Sequence, residues 1–288
     1  MGSLGASAHN SYHDRIDPAV TQAAIEHTRK EGWAVIPDVL TAEESKHALD
    51  RLWEAARKYK EQAGSNYIQY LDPNENNVRV ADLPMHERLF CDMVEHPLAV
   101  KIVQEIIGEN YLISNMSSNI ARPGSKSMAL HSDLSLVTPE PWQDDWALNV
   151  IWCLTDVTYE NGATLYIPGS QAYQKMSDIP KNAKSLLTPF EAKAGSIVLM
   201  TGRVWHTSGS NITKDQDRAL VLSYYTAPFL KPQMNWSLRI PQEKAKEFSP
   251  SLIKRLGMVK DGGDIYNIDA LKYLDEQYPD EEEPSTNS

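Results

Sequence analysis

Cysteine is scarce in this chain: Cys91 and Cys153 are the only two among 288 residues. Each lies in an apolar stretch and neither belongs to a Cys-x-x-Cys, which excludes a disulfide framework and a cysteine-based zinc module. Both read as reduced core thiols of an intracellular, cytoplasmic protein. Long hydrophobic runs are also missing. None approaches the roughly 18 residues of a membrane-spanning helix, and the opening MGSLGASAHNSYHD has neither the basic nor the apolar part of a secretory signal. Ala6 breaks the Met-Gly-x-x-x-Ser/Thr myristoylation pattern, and the final STNS is no peroxisomal address. Basic residues are outnumbered, 28 Lys and Arg against 39 Asp and Glu, for a net charge of −11. That balance argues against nucleic acid and anionic membranes as partners.

What is present is ordinary for a globular protein: 41% apolar and 23% charged residues. The first half carries helical patterns. DPAVTQAAIEHTRKEG has Pro18 at its start, apolar residues at helical spacing and Gly32 as its stop. WAVIPDVL follows as a short strand, and TAEESKHALDRLWEAARKY opens with the capping-box pair Thr41 and Glu44. NYIQYLDPNENNVRVADLP lacks a period and is long enough for a loop or lid. Residues 86–107 look helical, interrupted by Pro97. From about residue 110 the period changes to two, with candidate strands at 111–121, 126–132, 147–154, 163–168, 196–200 and 219–227. Helices followed by many short strands predict helices on one side of a β-sandwich or jelly roll. The expected organisation is a flexible lead over 1–17, one domain over 18–278 and a disordered acidic end over 279–288.

One short motif stands out. In MALHSD, His131 and Asp133 are two positions apart, and residues i and i+2 of a strand share a face. A lone His-x-Asp is more often a solvated turn than a metal site, so a third ligand is needed. Of eight histidines, His9 and His13 lie in the lead, His27 and His47 on predicted helices, and His86 and His96 near helix starts. His206, in AGSIVLMTGRVWHTSGSN, follows a later strand, far enough along for the chain to go round a jelly roll and return. Two histidines and a carboxylate on one face of an octahedron are the ligand pattern of non-haem Fe(II) oxygenases. A zinc hydrolase with the same ligands would want a nearby carboxylate base, and none neighbours either motif. Arg218 opens the strand ALVLSYYTAP, and a guanidinium matches a carboxylate bidentately. Alone it reads as a surface charge; with the three ligands it reads as the holder of an oxoacid.

Four stretches, HSD at 131–133, ENGATLYIPGSQ at 160–171, AGSIVLMTGRVWHTSGSN at 194–211 and Arg218, resemble the phytanoyl-CoA dioxygenase family of Fe(II)/2-oxoglutarate oxygenases. The opening EGWAVIPDVLTAEE is similar too, and the resemblance covers roughly residues 20–240. It implies an α+β fold with a mainly β core, a double-stranded β-helix (a cupin-like jelly roll) flanked by N-terminal helices. It implies Fe(II) held by His131, Asp133 and His206, 2-oxoglutarate as cosubstrate with Arg218 on its far carboxylate, and O₂ as oxidant. No catalytic side chain beyond the metal ligands is implied. Thr164 and Ser208 are candidate cosubstrate contacts. Met128 stands where many relatives carry a cosubstrate-binding Gln, Gly195-Ser196 where many have Gly-Asp, and Gln171 where a His is usual. A carboxylate at position 133, rather than a small residue, points to oxygenation and not halogenation.

The reaction implied is oxidation of an unactivated C–H bond, by hydroxylation, desaturation or rearrangement. Its substrate would be a small, largely apolar metabolite, as in fungal terpenoid or alkaloid biosynthesis. Candidate pocket residues are Asn115 and Asn119 with Ser117 on one strand face, Tyr67, Tyr70 and Arg79 in the predicted lid, Trp142, Trp146 and Phe229. Strand polarity and core packing are the competing readings for these. Two other functions stay open: a lipid or fatty acyl-CoA hydroxylase, which would want a basic patch, and a non-catalytic jelly-roll binding protein. A second copy of the chain, in a homodimer, stays open as a partner.

Overall fold

The computed structural model describes residues 15–258; the lead before Arg15, with His9 and His13, and the acidic end at 279–288 lie outside them. Local chemistry accounts for the first helices. α1 (Pro18–Glu31) is capped by Asp17, whose carboxylate accepts from the Ala19 amide at 2.8 Å, and stops at Gly32, φ +82°. After β1 (Trp33–Ile36), α2 (Ala42–Ala63) starts on the expected capping box: the Glu44 amide donates to Thr41 Oγ1, and the Thr41 amide to the Glu44 carboxylate.

The next stretch differs from expectation. Within the predicted lid, β2 (Asn77–Val80) forms an edge strand against β3 (Leu112–Ala121). Only that distant partner makes Asn-Val-Arg-Val a strand, since four residues carry too little period to announce it. The predicted 86–107 helix is three pieces, α3 (Leu83–His86), α4 (Arg88–Val94) and α5 (Pro97–Ile107). His86 ends the first and His96 caps the third, its ring accepting from the Leu98 amide at 3.2 Å.

The β region comprises β4 (Ala147–Cys153), β5 (Thr164–Tyr166), β6 (Thr188–Pro189), β7 (Ile197–Thr201), β8 (His206–Ser208) and β9 (Arg218–Thr226). Two antiparallel sheets result, one ordered β1-β7-β4-β9-β3-β2 and the other β6-β5-β8. The six-stranded sheet is buried on both faces. Leu148, Val150 and Trp152 of β4, Ile197 and Leu199 of β7, and Val221 of β9 pack with α1 to α5. Ile151, Val198, Met200 and Leu220 point the other way, onto Tyr166 of the smaller sheet and onto Phe190 and Val204, which flank its strands β6 and β8. This is the predicted jelly-roll core with helices on one side.

The predicted strand at 126–132 is not formed. Of its residues only His131 pairs, in a single bridge with His206. Asp133 then opens a 3₁₀ turn, Asp133–Leu136, so strand alternation is not what aligns it with His131. The Leu134 amide, bonded at 2.9 Å to the carbonyl of Gly202, fixes that turn. Gly195 is constrained from both sides, with φ +88° and the Leu40 carbonyl where a Cβ would stand. Gly195→Ala should destabilise the fold by at least the order of 1–3 kcal/mol that a left-handed non-glycine residue costs, measured as a fall in urea midpoint at unchanged m.

Candidate metal and anion site

The two histidines are joined through their backbones. His131 and His206 exchange both amide–carbonyl hydrogen bonds, at 3.0 and 2.7 Å, and their rings lie 4.3 Å apart. Each ring is oriented the same way, with Nδ1 2.9 Å from the carbonyl two residues earlier, Ala129 for His131 and Val204 for His206. A carbonyl can only accept, so each Nδ1 carries a proton, which leaves Nε2 as the atom of each ring able to bind a metal. Burial holds the His206 imidazole below its usual pKa, with the charge of Asp133 acting the other way. A neutral ring is the form a metal requires.

Asp133 completes the set. Its Oδ2 accepts from Asn149 Nδ2 at 2.6 Å, which leaves Oδ1 3.8 Å from His131 Nε2. One donor atom from each of the three residues lies within 4.8 Å of the others. Two neutral imidazole nitrogens and one carboxylate oxygen suit a divalent transition metal, and both Nδ1 atoms and Oδ2 are already held by outer partners. Asn149 escaped the sequence reading, although a polar residue amid ALNVIWC is the signal that could have found it. Asn149→Leu should weaken Ni(II) or Fe(II) binding roughly 10–100-fold, as loss of an outer partner does, measured by metal titration.

These three residues line a cavity of about 650 Å³. Farther along the same wall is Arg218, 1% exposed. Its Nε donates to the Gly162 carbonyl at 2.9 Å and its Nη1 to Asn119 Oδ1 at 2.9 Å, while Nη2 has no acceptor among the described residues. No carboxylate pairs with it there. Burial and the nearby Arg79 lower its proton affinity. A buried cation without a counter-ion is costly, and an incoming carboxylate would supply one. Thr164 and Ser208, opposite one another in register, border the same part of the cavity. Met128 lies beside them, its amide donating to Ser208 Oγ at 3.0 Å and its carbonyl accepting from Thr207 Oγ1 at 2.7 Å.

Of the other sequence candidates, Tyr70, Arg79, Asn115, Ser117 and Asn119 also line the cavity. Tyr224 and Gln233, which the sequence reading did not single out, join them. Tyr67, Trp142, Trp146 and Phe229 do not. Trp142 is buried in a cluster with Leu134, and its indole donates to the Val137 carbonyl at 2.8 Å. It packs beneath the turn carrying Asp133. Trp146 meets Phe229 edge to face at 5.5 Å. Among the described residues, Asp133 is the sole carboxylate on the wall, so no second one stands as the base of a zinc hydrolase.

A family model described as "Phytanoyl-CoA dioxygenase (PhyH)" matches residues 28–219. The chain is 49% identical over 255 residues to "Dioxygenase af480" of Aspergillus fumigatus, covering 88% of this chain and 82% of that protein. It is 29% identical over 178 residues to "Dioxygenase himG" of Aspergillus japonicus, covering 52% and 54% of the two chains. Among solved structures, the fold resembles the non-heme alpha ketoglutarate dependent epimerase SnoN from nogalamycin biosynthesis, with a TM-score of 0.59, 19% identity and coverage of 73% and 82%. It also resembles HygX from Streptomyces hygroscopicus with nickel and 2-oxoglutarate bound, with a TM-score of 0.59, 15% identity and coverage of 73% and 89%.

Proposed function

The chain belongs to the phytanoyl-CoA dioxygenase family and is an Fe(II)/2-oxoglutarate-dependent dioxygenase, and from that premise we propose that it oxidises a C–H bond of a small, neutral, largely apolar metabolite in fungal natural-product biosynthesis. The observation that carries this reading is the pairing, in one cavity, of three converging metal donors with a buried arginine that lacks a carboxylate.

In this reading His131, Asp133 and His206 hold the iron, and Arg218 takes the far carboxylate of 2-oxoglutarate. Bound together, iron and 2-oxoglutarate supply an O₂-dependent oxidation in which decarboxylation of the cosubstrate is coupled to removal of a substrate hydrogen. The protein's part is orientation and exclusion of water. The carbonyls of Ala129 and Val204 aim the two Nε2 atoms, Asn149 restrains Asp133 to one free oxygen, and Gly162 and Asn119 fix the guanidinium plane. In the same reading Thr164 and Ser208, which line the cavity, would donate to the cosubstrate.

Charge favours a neutral substrate over an acyl-CoA. Beside Arg218, the wall carries two other arginines among the described residues, and both have acidic partners. Arg79 grips Asp72 at 2.8 and 3.0 Å, and Arg239 lies 3.5 Å from Asp82. No lysine of the described residues lines the cavity, so nothing is left over for the phosphates of a CoA. At the mouth, Tyr70, Leu71 and Leu136 expose apolar surface, which suits an apolar guest.

The test is anaerobic reconstitution with Fe(II) and 2-oxoglutarate, followed by O₂. A metal-to-cosubstrate charge-transfer absorption before O₂ and succinate after it are expected. Absence of that absorption at saturating Fe(II) and 2-oxoglutarate would overturn the reading in favour of a non-catalytic binding protein.

A further inference from the structure

β3 departs from regular pairing with β9 at one place, where the register shifts between Ile113 and Asn115. A bulge of this kind leaves one residue unpaired and re-aims the side chains beside it. The skipped residue, Ser114, clamps a later segment: its Oγ accepts from the Gln233 amide at 2.9 Å and its carbonyl from the Met234 amide at 3.0 Å. Gln233 is thereby held over the cavity, where its Oε1 accepts from Asn115 Nδ2 at 3.1 Å.

Beyond the bulge, Asn115, Ser117 and Asn119 alternate onto the cavity wall. Asn119 is occupied by Arg218, but the first two have hydrogen-bonding capacity to spare. Among the described residues the Ser117 hydroxyl has no partner, and neither has Asn115 Oδ1, which is buried. A buried acceptor is rarely left unmet in a folded protein. The amide torsion of Asn is broad, so a rotation that releases Nδ2 from Gln233 can turn the acceptor toward a guest. The strip is neutral, and its match is a hydroxyl group, which both donates and accepts.

We propose that Asn115, Ser117 and Gln233 form a substrate subsite, and that the substrate is a lipophilic alcohol whose hydroxyl they hold. This rests on reading the cavity as the chamber of a dioxygenase, and names the class of its guest. Asn115 shares a rung with Tyr224, and Tyr224 with Asn149, the residue that holds Asp133. Two strand spacings of about 4.8 Å place the hydroxyl roughly 10 Å from that amide. The recognised hydroxyl would therefore lie away from the metal donors, two strands from the amide that holds Asp133. An earlier oxygenation or hydrolysis must supply that hydroxyl.

The experiment measures binding to Ni(II)- and 2-oxoglutarate-loaded protein, in which no turnover occurs. The probes are cedrol against cedrane and 1-adamantanol against adamantane, matched pairs differing by one hydroxyl. Wild type should bind at least one alcohol about tenfold more tightly than its hydrocarbon, as a site with groups awaiting a hydroxyl does. In the Asn115→Leu/Ser117→Ala double variant the ratio should fall to within about twofold, with hydrocarbon affinity kept or improved. Ser117→Ala alone, which removes a single oxygen, should lower the ratio partway and guards against misfolding of the double variant. A wild-type ratio near one, no binding of either alcohol, or a ratio that survives the substitutions would overturn the proposal. Ni(II) and 2-oxoglutarate affinities of the same wild-type sample report separately on the dioxygenase reading, since their loss would sink that reading whatever the probes do.

Discussion

Alanine at His131, Asp133 or His206 should abolish succinate formation and weaken Fe(II) binding by more than the roughly 10–100-fold that loss of an outer partner costs. The three should not be equivalent in the apo-protein. His131 and His206 are joined through their main chains, so removing either ring leaves that bridge intact. Asp133→Ala instead strands the Asn149 amide that donates to it at 2.6 Å, and an orphaned buried donor costs about 1–3 kcal/mol. Asp133→Asn keeps the shape while losing the charge. If the carboxylate is a ligand, Asp133→Asn should lose metal nearly as fully as Asp133→Ala in titration. Metal binding retained by either would show that Asp133 only shapes the site.

The second large effect belongs to Arg218. Arg218→Met should raise the 2-oxoglutarate requirement by a factor corresponding to the roughly 2–5 kcal/mol lost when one partner of a buried, hydrogen-bonded charge pair is removed. Arg218→Lys should recover little of it, because a point charge cannot reproduce a planar fork already fixed by Gly162 and Asn119. Thermal unfolding separates binding from folding. A ligand at about 100 times its Kd stabilises by about 2.7 kcal/mol, so Ni(II)-loaded wild type should gain Tm on adding 2-oxoglutarate and Arg218→Met should not. A similar gain in the variant would remove Arg218 from cosubstrate binding. The unliganded variant should stay folded, because the substitution also removes a buried charge that lacks a carboxylate partner.

The bounds of the first two helices were legible because caps and stops are local, whereas the start at Leu83 and the break between α3 and α4 were not. Asp17, Thr41 with Glu44, and Gly32 act on residues within one turn of themselves. Five strands of the large sheet and β5 of the smaller one were legible from hydrophobic pattern, and β2, β6 and β8 were not, since these two- to four-residue segments become strands only through their partners. The aromatic candidates show another limit. Trp142 and Tyr70 are both large side chains in polar loops, and only the fold buries one in a core and leaves the other at the cavity mouth.

The sequence by itself determined the chemistry on offer: two histidines, one aspartate and one arginine in surroundings that belong to iron- and 2-oxoglutarate-dependent oxygenases. Side-chain type sets ligand preference and charge before any folding. It also determined that strands would follow helices, since hydrophobic period is written residue by residue. The tertiary structure alone decided how those groups act. It joined His131 to His206, turned Asp133 with a 3₁₀ turn, protonated both Nδ1 atoms by way of backbone carbonyls, and set Asn149 behind the carboxylate. It also neutralised Arg79 with Asp72 while leaving Arg218 without a carboxylate. The physical reason is that β4 is buried along its whole length. A strand covered on both faces reads as uniformly apolar, and only the partners across each face show which one holds the site.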